Sequence, residues 1–309
     1  MRIVFMGTPE FAVASLKALL AAGEQVIAVV TAPDRPAGRG RTLQQSAVKQ
    51  FAIAQGLPVL QPVRLRDPEF LAELAQLKAD LQVVVAFRML PELVWDMPAR
   101  GTINLHASLL PDYRGAAPIN HVLINGEKKT GVTTFILSHE IDTGHVLFSR
   151  EVPIKEEDNA GDLHDRLMGV GAELLVDTVS AIGQGDYVPV PQSALMENRS
   201  LHPAPKIFKE DCRIDWNQPT EKVHNLIRGL SPYPAAFTDM DGQVLKIFQG
   251  DKRIESHQFK PGDFASDGKS YLRYFTKDGF IELNDIQIAG KKRMSIAEFL
   301  RGYRLPAKR

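Results

Sequence analysis

Three polar side chains between Gly101 and Gly144 have the types and spacing for group-transfer chemistry: Asn104, His106 and Asp142. Asn104 and His106 stand at alternate positions, so an extended backbone points them to the same side. An asparagine amide can donate a hydrogen bond to an oxygen on which negative charge develops. A histidine can donate too, or move a proton near neutral pH. An aspartate can orient an imidazole or accept a proton through water. None of the three need be a covalent nucleophile. Ser108 is the nearby serine with a candidate role, and no Gly-x-Ser-x-Gly elbow surrounds it. The chemistry that fits is transfer of a group from a reactive donor to an amine through a tetrahedral intermediate. On residue types alone, a polar loop closing an α/β sheet remains the alternative.

The elements around these residues read as follows. Thr102–Leu105 is the end of a buried strand, and Pro111 and Gly115 punctuate a polar loop. Residues 116–125 are helical, 131–137 are a second strand, and Ile141-Asp-Thr-Gly144 is a turn that presents a carboxylate. Upstream, residues 2–6 and 25–31 are apolar strands flanking a helix over 11–22. Helices over 47–55 and 67–77 alternate with strands over 57–60 and 81–86. This alternation predicts a Rossmann-like, doubly wound, mostly parallel sheet. The first turn holds only Gly7, and no acidic residue closes the second strand, so dinucleotide binding is not expected. A strand over 146–153 and a long amphipathic helix over 160–182 complete the domain.

Residues 183–205 lose periodicity and carry Pro189, Pro191, Pro203 and Pro205, the marks of a linker. A helix over 220–229 follows, then short alternating segments separated by Asp-Gly turns at 241, 267 and 278, the pattern of a small antiparallel barrel. The expected division is a catalytic domain over 1–188, a linker over 189–206 and a second domain over 207–309. The 309 residues suffice for two cores. No apolar run is long enough for a membrane span, and the opening Met1-Arg-Ile-Val-Phe-Met-Gly7 reads as strand and turn rather than a secretory signal. The single cysteine, Cys212, excludes an internal disulfide and a Cys-x-x-Cys site. His139, Glu140, Asp142 and His145 lack the spacing of a zinc site, and no metal is expected. A cytoplasmic protein is the expectation. Net charge is zero, yet residues 205–309 hold 19 Lys+Arg against 14 Asp+Glu, which hints at an anionic partner for the second domain.

Asn104-Leu-His106, Ser108-Leu-Leu-Pro111, Arg114-Gly-Ala-Ala-Pro118 and Asp142-Thr-Gly144 together resemble the signature of formyltransferases that use 10-formyltetrahydrofolate. The resemblance runs from Arg2-Ile-Val-Phe-Met-Gly-Thr-Pro9 to Gly290-Lys-Lys-Arg-Met-Ser295, and within the family it is strongest to the branch acting on methionyl-tRNA. It implies formyl transfer from 10-formyltetrahydrofolate to the free amino group of methionyl-initiator-tRNA by a protein with a C-terminal OB-like barrel; nothing in the sequence demands a dimer, and a monomer is the expectation. It implies catalytic roles for Asn104, His106 and Asp142, and a donor-binding segment at Ser108, Leu109, Leu110 and Pro111. The loop Pro33–Arg41 is similar to an insertion that meets the acceptor end of the tRNA. Its Arg35, Arg39 and Arg41 become candidate RNA contacts, alongside Lys291, Lys292 and Arg293 of a basic turn. Solvated surface is the plainer reading of both. At Phe87-Arg-Met-Leu-Pro91 the chain departs from the commoner family form: Arg88 stands where a glycine follows the aromatic, and one residue before the Leu-Pro is missing. In the family this segment lines the pterin pocket. The alternatives are formyl transfer to a sugar-nucleotide amine, release of the formyl group to water, and an RNA-binding protein without catalysis.

Overall fold

The computed structural model describes residues 1–37, 42–139, 142–196 and 200–304. The described chain divides into two compact units. One takes Met1–Gly115, Lys129–Pro153 and His164–Pro203; the other takes Ala116–Lys128, Ile154–Leu163 and the chain from Ala204 onward.

The first unit opens with β1 (Arg2–Gly7), α1 (Glu10–Ala21) and β2 (Gln25–Val30). Beyond its first residue β1 is wholly buried, as a strand covered on both faces must be. Gly7 is required where β1 turns into α1: a Cβ there would lie 2.6 Å from the Ala12 Cβ and 3.0 Å from the Val85 carbonyl oxygen. β3 (Arg35–Ala37) and β4 (Thr42–Gln44) pair antiparallel as a separate ribbon. Then come α2 (Ala47–Ala54), β5 (Val59–Leu60), α3 (Pro68–Gln76), β6 (Leu81–Val85), α4 (Glu92–Trp95) and β7 (Thr102–His106). Side-chain caps start two of these helices: Ser46 accepts from the Lys49 N–H, and Asp67 from the Glu69 N–H with Pro68 in the first turn.

The chain next forms α5 (Pro118–Ile124), β8 (Lys129–Ile136), β9 (Val146–Pro153) and α6 (Ala160–Gln184). The main sheet has the order β5-β2-β1-β6-β7-β8-β9. Its first five strands are parallel, while β8 runs antiparallel to both of its neighbours, β7 and β9. The expected doubly wound α/β sheet is therefore present. Leu163, Leu167, Leu174, Val179 and Ile182 form a buried stripe along α6. Gly171 of α6 lies so close to Leu105 that a Cβ would meet its side chain at 3.0 Å. This helix therefore covers the face of β7 that carries Ile103 and Leu105, which leaves the opposite face to Asn104 and His106.

The second unit contains α5, α7 (Thr220–Leu230) and β10 (Ala236–Met240), β11 (Gln243–Ile254), β12 (Phe264–Ser266), β13 (Leu272–Phe275), β14 (Gly279–Ile288), β15 (Met294–Ser295) and α8 (Ile296–Gly302). The strands make an antiparallel sheet ordered β10-β11-β14-β13-β12, with β15 on β14. Register shifts within the β11–β14 ladder mark bulges, which curl the sheet in the manner of a partial barrel. Its core includes Trp216 stacked on Tyr274 at 4.7 Å, with Val223, Ile227, Leu245, Ile281 and Phe299. Burial drives the Tyr274 phenol upward from its ordinary pKa, with Tyr303 adding to the effect.

Candidate active site

The site is built on β7. Asn104 lies between Val84 of β6 and Phe135 of β8 and is half-buried. His106 ends the strand and is 6% exposed. Its Nε2 lies 2.9 Å from the Tyr113 carbonyl oxygen. A carbonyl only accepts, so Nε2 carries the proton and, in the neutral ring, Nδ1 holds the free lone pair. Asp142 sits at φ +54 in the turn after β8, and its Oδ2 accepts from the Gly115 N–H at 3.1 Å. Tyr113-Arg114-Gly115 thus meets His106 at one end and Asp142 at the other. Among the described residues, no hydrogen bond joins Asp142 to His106. The expectation that Asp142 orients the imidazole is replaced here by orientation through the Tyr113 carbonyl.

The Ser108–Pro111 segment is mostly interior. Ser108 is 0% exposed and its hydroxyl donates to the Asp112 carbonyl at 2.6 Å. Thr133 of β8 staples the segment by donating to the Ser108 carbonyl at 2.7 Å and accepting from the Leu110 N–H at 3.1 Å. Leu110 and Pro111 are buried, and Leu109 is half-buried.

A cleft of ≈ 400 Å³ opens beside the segment that leaves β6. Leu65, Met89, Leu90, Pro91 and Trp95 form its apolar walls, and Arg66, Arg88, Glu92 and His139 its polar edges. Arg88 reaches back to the chain after β5, donating to the Pro62 carbonyl and to the Val63 carbonyl at 2.9 Å. Burial, then the charge of Arg35, lowers its pKa, and its Nε is buried without a partner. The glycine-to-arginine departure seen in the sequence therefore ties the cleft-lining segment to the neighbouring loop.

Two features were not foreseen. Val190 and Gln192, in the stretch expected as a linker, bond to the strand and the turn of the site. Val190 exchanges two backbone hydrogen bonds with Val146, each 2.8 Å. Gln192 donates to the Asp142 and Gly144 carbonyls, both at 2.8 Å, and accepts from Arg114. Nothing in the local pattern around Gln192 marks it; a polar residue following Pro191 in an aperiodic stretch has the signature of a loop. Of the candidate RNA contacts, Arg35 is exposed on β3, while Arg39 and Arg41 lie outside the described residues. Lys291 and Lys292 are exposed. Arg293 is engaged already, bonded to Asp285 at 2.6 Å and lying 4.3 Å over the Phe248 ring. Among the described residues, no three His, Cys, Asp or Glu side chains converge as a metal cluster, and no helix is long and apolar enough to cross a membrane.

A doubly wound sheet in which an inner strand presents asparagine and histidine beside an Asp-Thr-Gly turn defines the class. The chain belongs to the formyl transferase family, whose model matches residues 1–179, while the model of the family's C-terminal domain matches residues 206–304. More narrowly, it is 54% identical to the methionyl-tRNA formyltransferase of Parabacteroides distasonis over 98% of this chain and 96% of that one. It is 56% identical to the methionyl-tRNA formyltransferase of Phocaeicola vulgatus, again over 98% and 96%. Among solved structures it is similar in fold to an N-formyltransferase from Helicobacter canadensis, in complex with folinic acid and dTDP-3-aminofucose. That similarity has a TM-score of 0.67 at 21% identity, over 91% of this chain and 97% of that one.

Proposed function

We propose that this protein transfers the formyl group of 10-formyltetrahydrofolate to the free amino group of methionyl-initiator-tRNA, giving N-formylmethionyl-tRNA for translation initiation. The observation that carries the reading is the convergence of His106 and Asp142 on Tyr113-Arg114-Gly115, beside Asn104 on the same strand face. Near-full-length identity of about half to methionyl-tRNA formyltransferases supports the choice of acceptor.

The donor fits the residues present. The cleft has the volume of a small-molecule site, with apolar and polar lining in similar measure. Leu90, Pro91 and Trp95 would hold the ring system, and the Thr133-stapled Ser108–Pro111 segment would contribute to the donor site. When bound, 10-formyltetrahydrofolate supplies a carbonyl carbon open to attack by an amine. Asn104 donates its amide N–H to the carbonyl oxygen as charge gathers there, an interaction stronger at the transition state than before it. His106, with its Nε2–H committed to Tyr113, accepts a proton from the attacking amine at Nδ1. The imidazolium so formed can then donate from Nδ1, either to the charged oxygen or to the departing nitrogen. Asp142 stabilises that cation and, through water, assists the same proton's departure from the amine.

The catalytic work is assigned to residues 1–188 and tRNA binding to 207–309, joined through 189–206. Arg35, Arg39, Arg41, Lys291 and Lys292 are the proposed phosphate contacts, with Arg293 holding the turn through Asp285. The protein acts as a cytoplasmic monomer. The test is formyl transfer with charged initiator tRNA and, separately, with amino-sugar nucleotides. Asn104→Ala, His106→Ala and Asp142→Ala should each lower kcat by about 100-fold or more. Transfer confined to the sugar amine would overturn the acceptor assignment, and near-normal turnover by any variant would remove that residue from the mechanism.

A further inference from the structure

Gln192 bridges the turn that carries Asp142 and the loop that orients His106. It is 3% exposed, and its amide is fully used. Nε2 gives one hydrogen to the Asp142 carbonyl and one to the Gly144 carbonyl, each at 2.8 Å. Oε1 accepts from Arg114 twice, from Nε at 3.0 Å and from Nη2 at 2.6 Å. Among side chains, only a primary amide presents two donors on one nitrogen and a twofold acceptor on one planar group. A carboxylate would set its oxygens against two carbonyls, and an apolar side chain would orphan all four partners.

The partners decide what this network does. Arg114 sits between Tyr113, whose carbonyl holds the His106 ring, and Gly115, whose N–H holds the Asp142 carboxylate. The other end of Gln192 grips the turn in which Asp142 adopts φ +54, in the left-handed region that few residues with a Cβ enter. The segment bearing Gln192 is itself fixed at both ends. Val190 pairs with Val146, and further along the His202 carbonyl accepts from the Tyr113 N–H at 2.7 Å while the His202 N–H reaches Asp112 at 2.7 Å.

We propose that Gln192 is a positioning residue for formyl transfer: through Arg114 and the 142 and 144 carbonyls, it sets the place of the Asp142 carboxylate relative to the loop that orients His106. This inference rests on the role given above to Asp142. Because Gln192 acts through another side chain, its loss should lower kcat and leave KM nearly unchanged, and should matter little once the carboxylate is gone.

The experiment measures kcat and KM for methionyl-tRNA in the full-length protein carrying Q192L, Q192E, D142N, and D142N with Q192L. Q192E keeps an oxygen partner for Arg114 inside the pocket, removes the bonds to the turn and sets an oxygen against its two carbonyls. The expected result is a fall in kcat of about 100-fold for either single Gln192 variant, as for an angstrom-scale misplacement of a reacting group. KM should stay within about threefold, and Q192L should cost D142N less than about threefold. Wild-type kcat in the Gln192 variants, or an equal loss in the D142N background, would overturn the proposal while leaving the role of Asp142 intact. If neither Gln192 variant folds, the residue is a structural anchor and the proposal is likewise overturned. Wild-type turnover by D142N would refute the role given to that carboxylate, and this inference with it.

Discussion

Replacing Gly144 with alanine should disable the enzyme through the backbone alone. A Cβ at this position would lie 1.7 Å from the Ile136 carbonyl oxygen and 2.8 Å from the carbonyl carbon. Carbon–oxygen contacts begin at about 3.3 Å, so the turn and the strand end must part by roughly 1.5 Å. Ile136 is held in β8 and gives its N–H to the His145 carbonyl, so the 142–144 turn is the side that yields. A shift of that size carries the Gly144 carbonyl out of reach of Gln192, now 2.8 Å away, and strains the 3.1 Å bond from Gly115 to Asp142. The expected loss in kcat is about 100-fold, or about 2.7 kcal/mol of transition-state stabilisation. Leaving the buried Gln192 N–H unpaired should also cost about 1–3 kcal/mol of stability. Single-turnover formylation of methionyl-tRNA reads the first effect and urea unfolding the second. A Gly144→Ala protein within threefold of wild-type kcat would show that the turn moves without consequence, and the account of Asp142 placement would fail.

Thr133→Val keeps the shape of a fully buried side chain while removing its bonds to Ser108 and Leu110. Two unpaired backbone groups should cost about 2–6 kcal/mol, with a raised KM for the folate donor, measured by thermal unfolding and initial rates. In the second unit, burial holds His224 down at about 4, helped by Lys252 and Arg228 and opposed by Glu221 and Glu156. Between pH 6.5 and 4 the unfolded chain binds the extra proton and the folded chain does not. Stability is therefore fully present above this window and falls as pH drops through it, by about 3 kcal/mol in all. His224→Leu should flatten that part of the urea-unfolding profile; an unchanged slope would place the titration elsewhere. Ser295→Ala removes a complete capping box at the start of α8 and should cost about 1 kcal/mol, read as a lowered Tm.

Much of the fold was legible because its signals are local. Arg2–Gly7, Gln25–Val30 and Leu81–Val85 are short apolar runs bounded by turn residues, and the helices between them carry a 3.6-residue stripe. The common face of Asn104 and His106 follows from strand alternation and needs no tertiary information. The antiparallel sheet was announced by its Asp-Gly turns, but β12 and β15, of three and two residues, were not, since strands that short exist only through their partners. The resemblance proposes the Ser108–Pro111 segment for the donor, whereas its burial depends on Thr133, 25 residues away in sequence from Ser108.

The amino-acid order thus determined the chemistry available to this protein: an amide, an imidazole and a carboxylate at a strand end and a turn, on a doubly wound sheet. Tertiary structure alone decided how they are held. The Tyr113 carbonyl, not Asp142, orients His106, and Gln192, 50 residues beyond Asp142 in a proline-rich stretch without periodicity, secures the turn. Neither bond has a local signature. A hydrogen bond between distant segments depends on where the whole chain brings two polar groups, and the same side chains in a solvated loop would read identically in sequence.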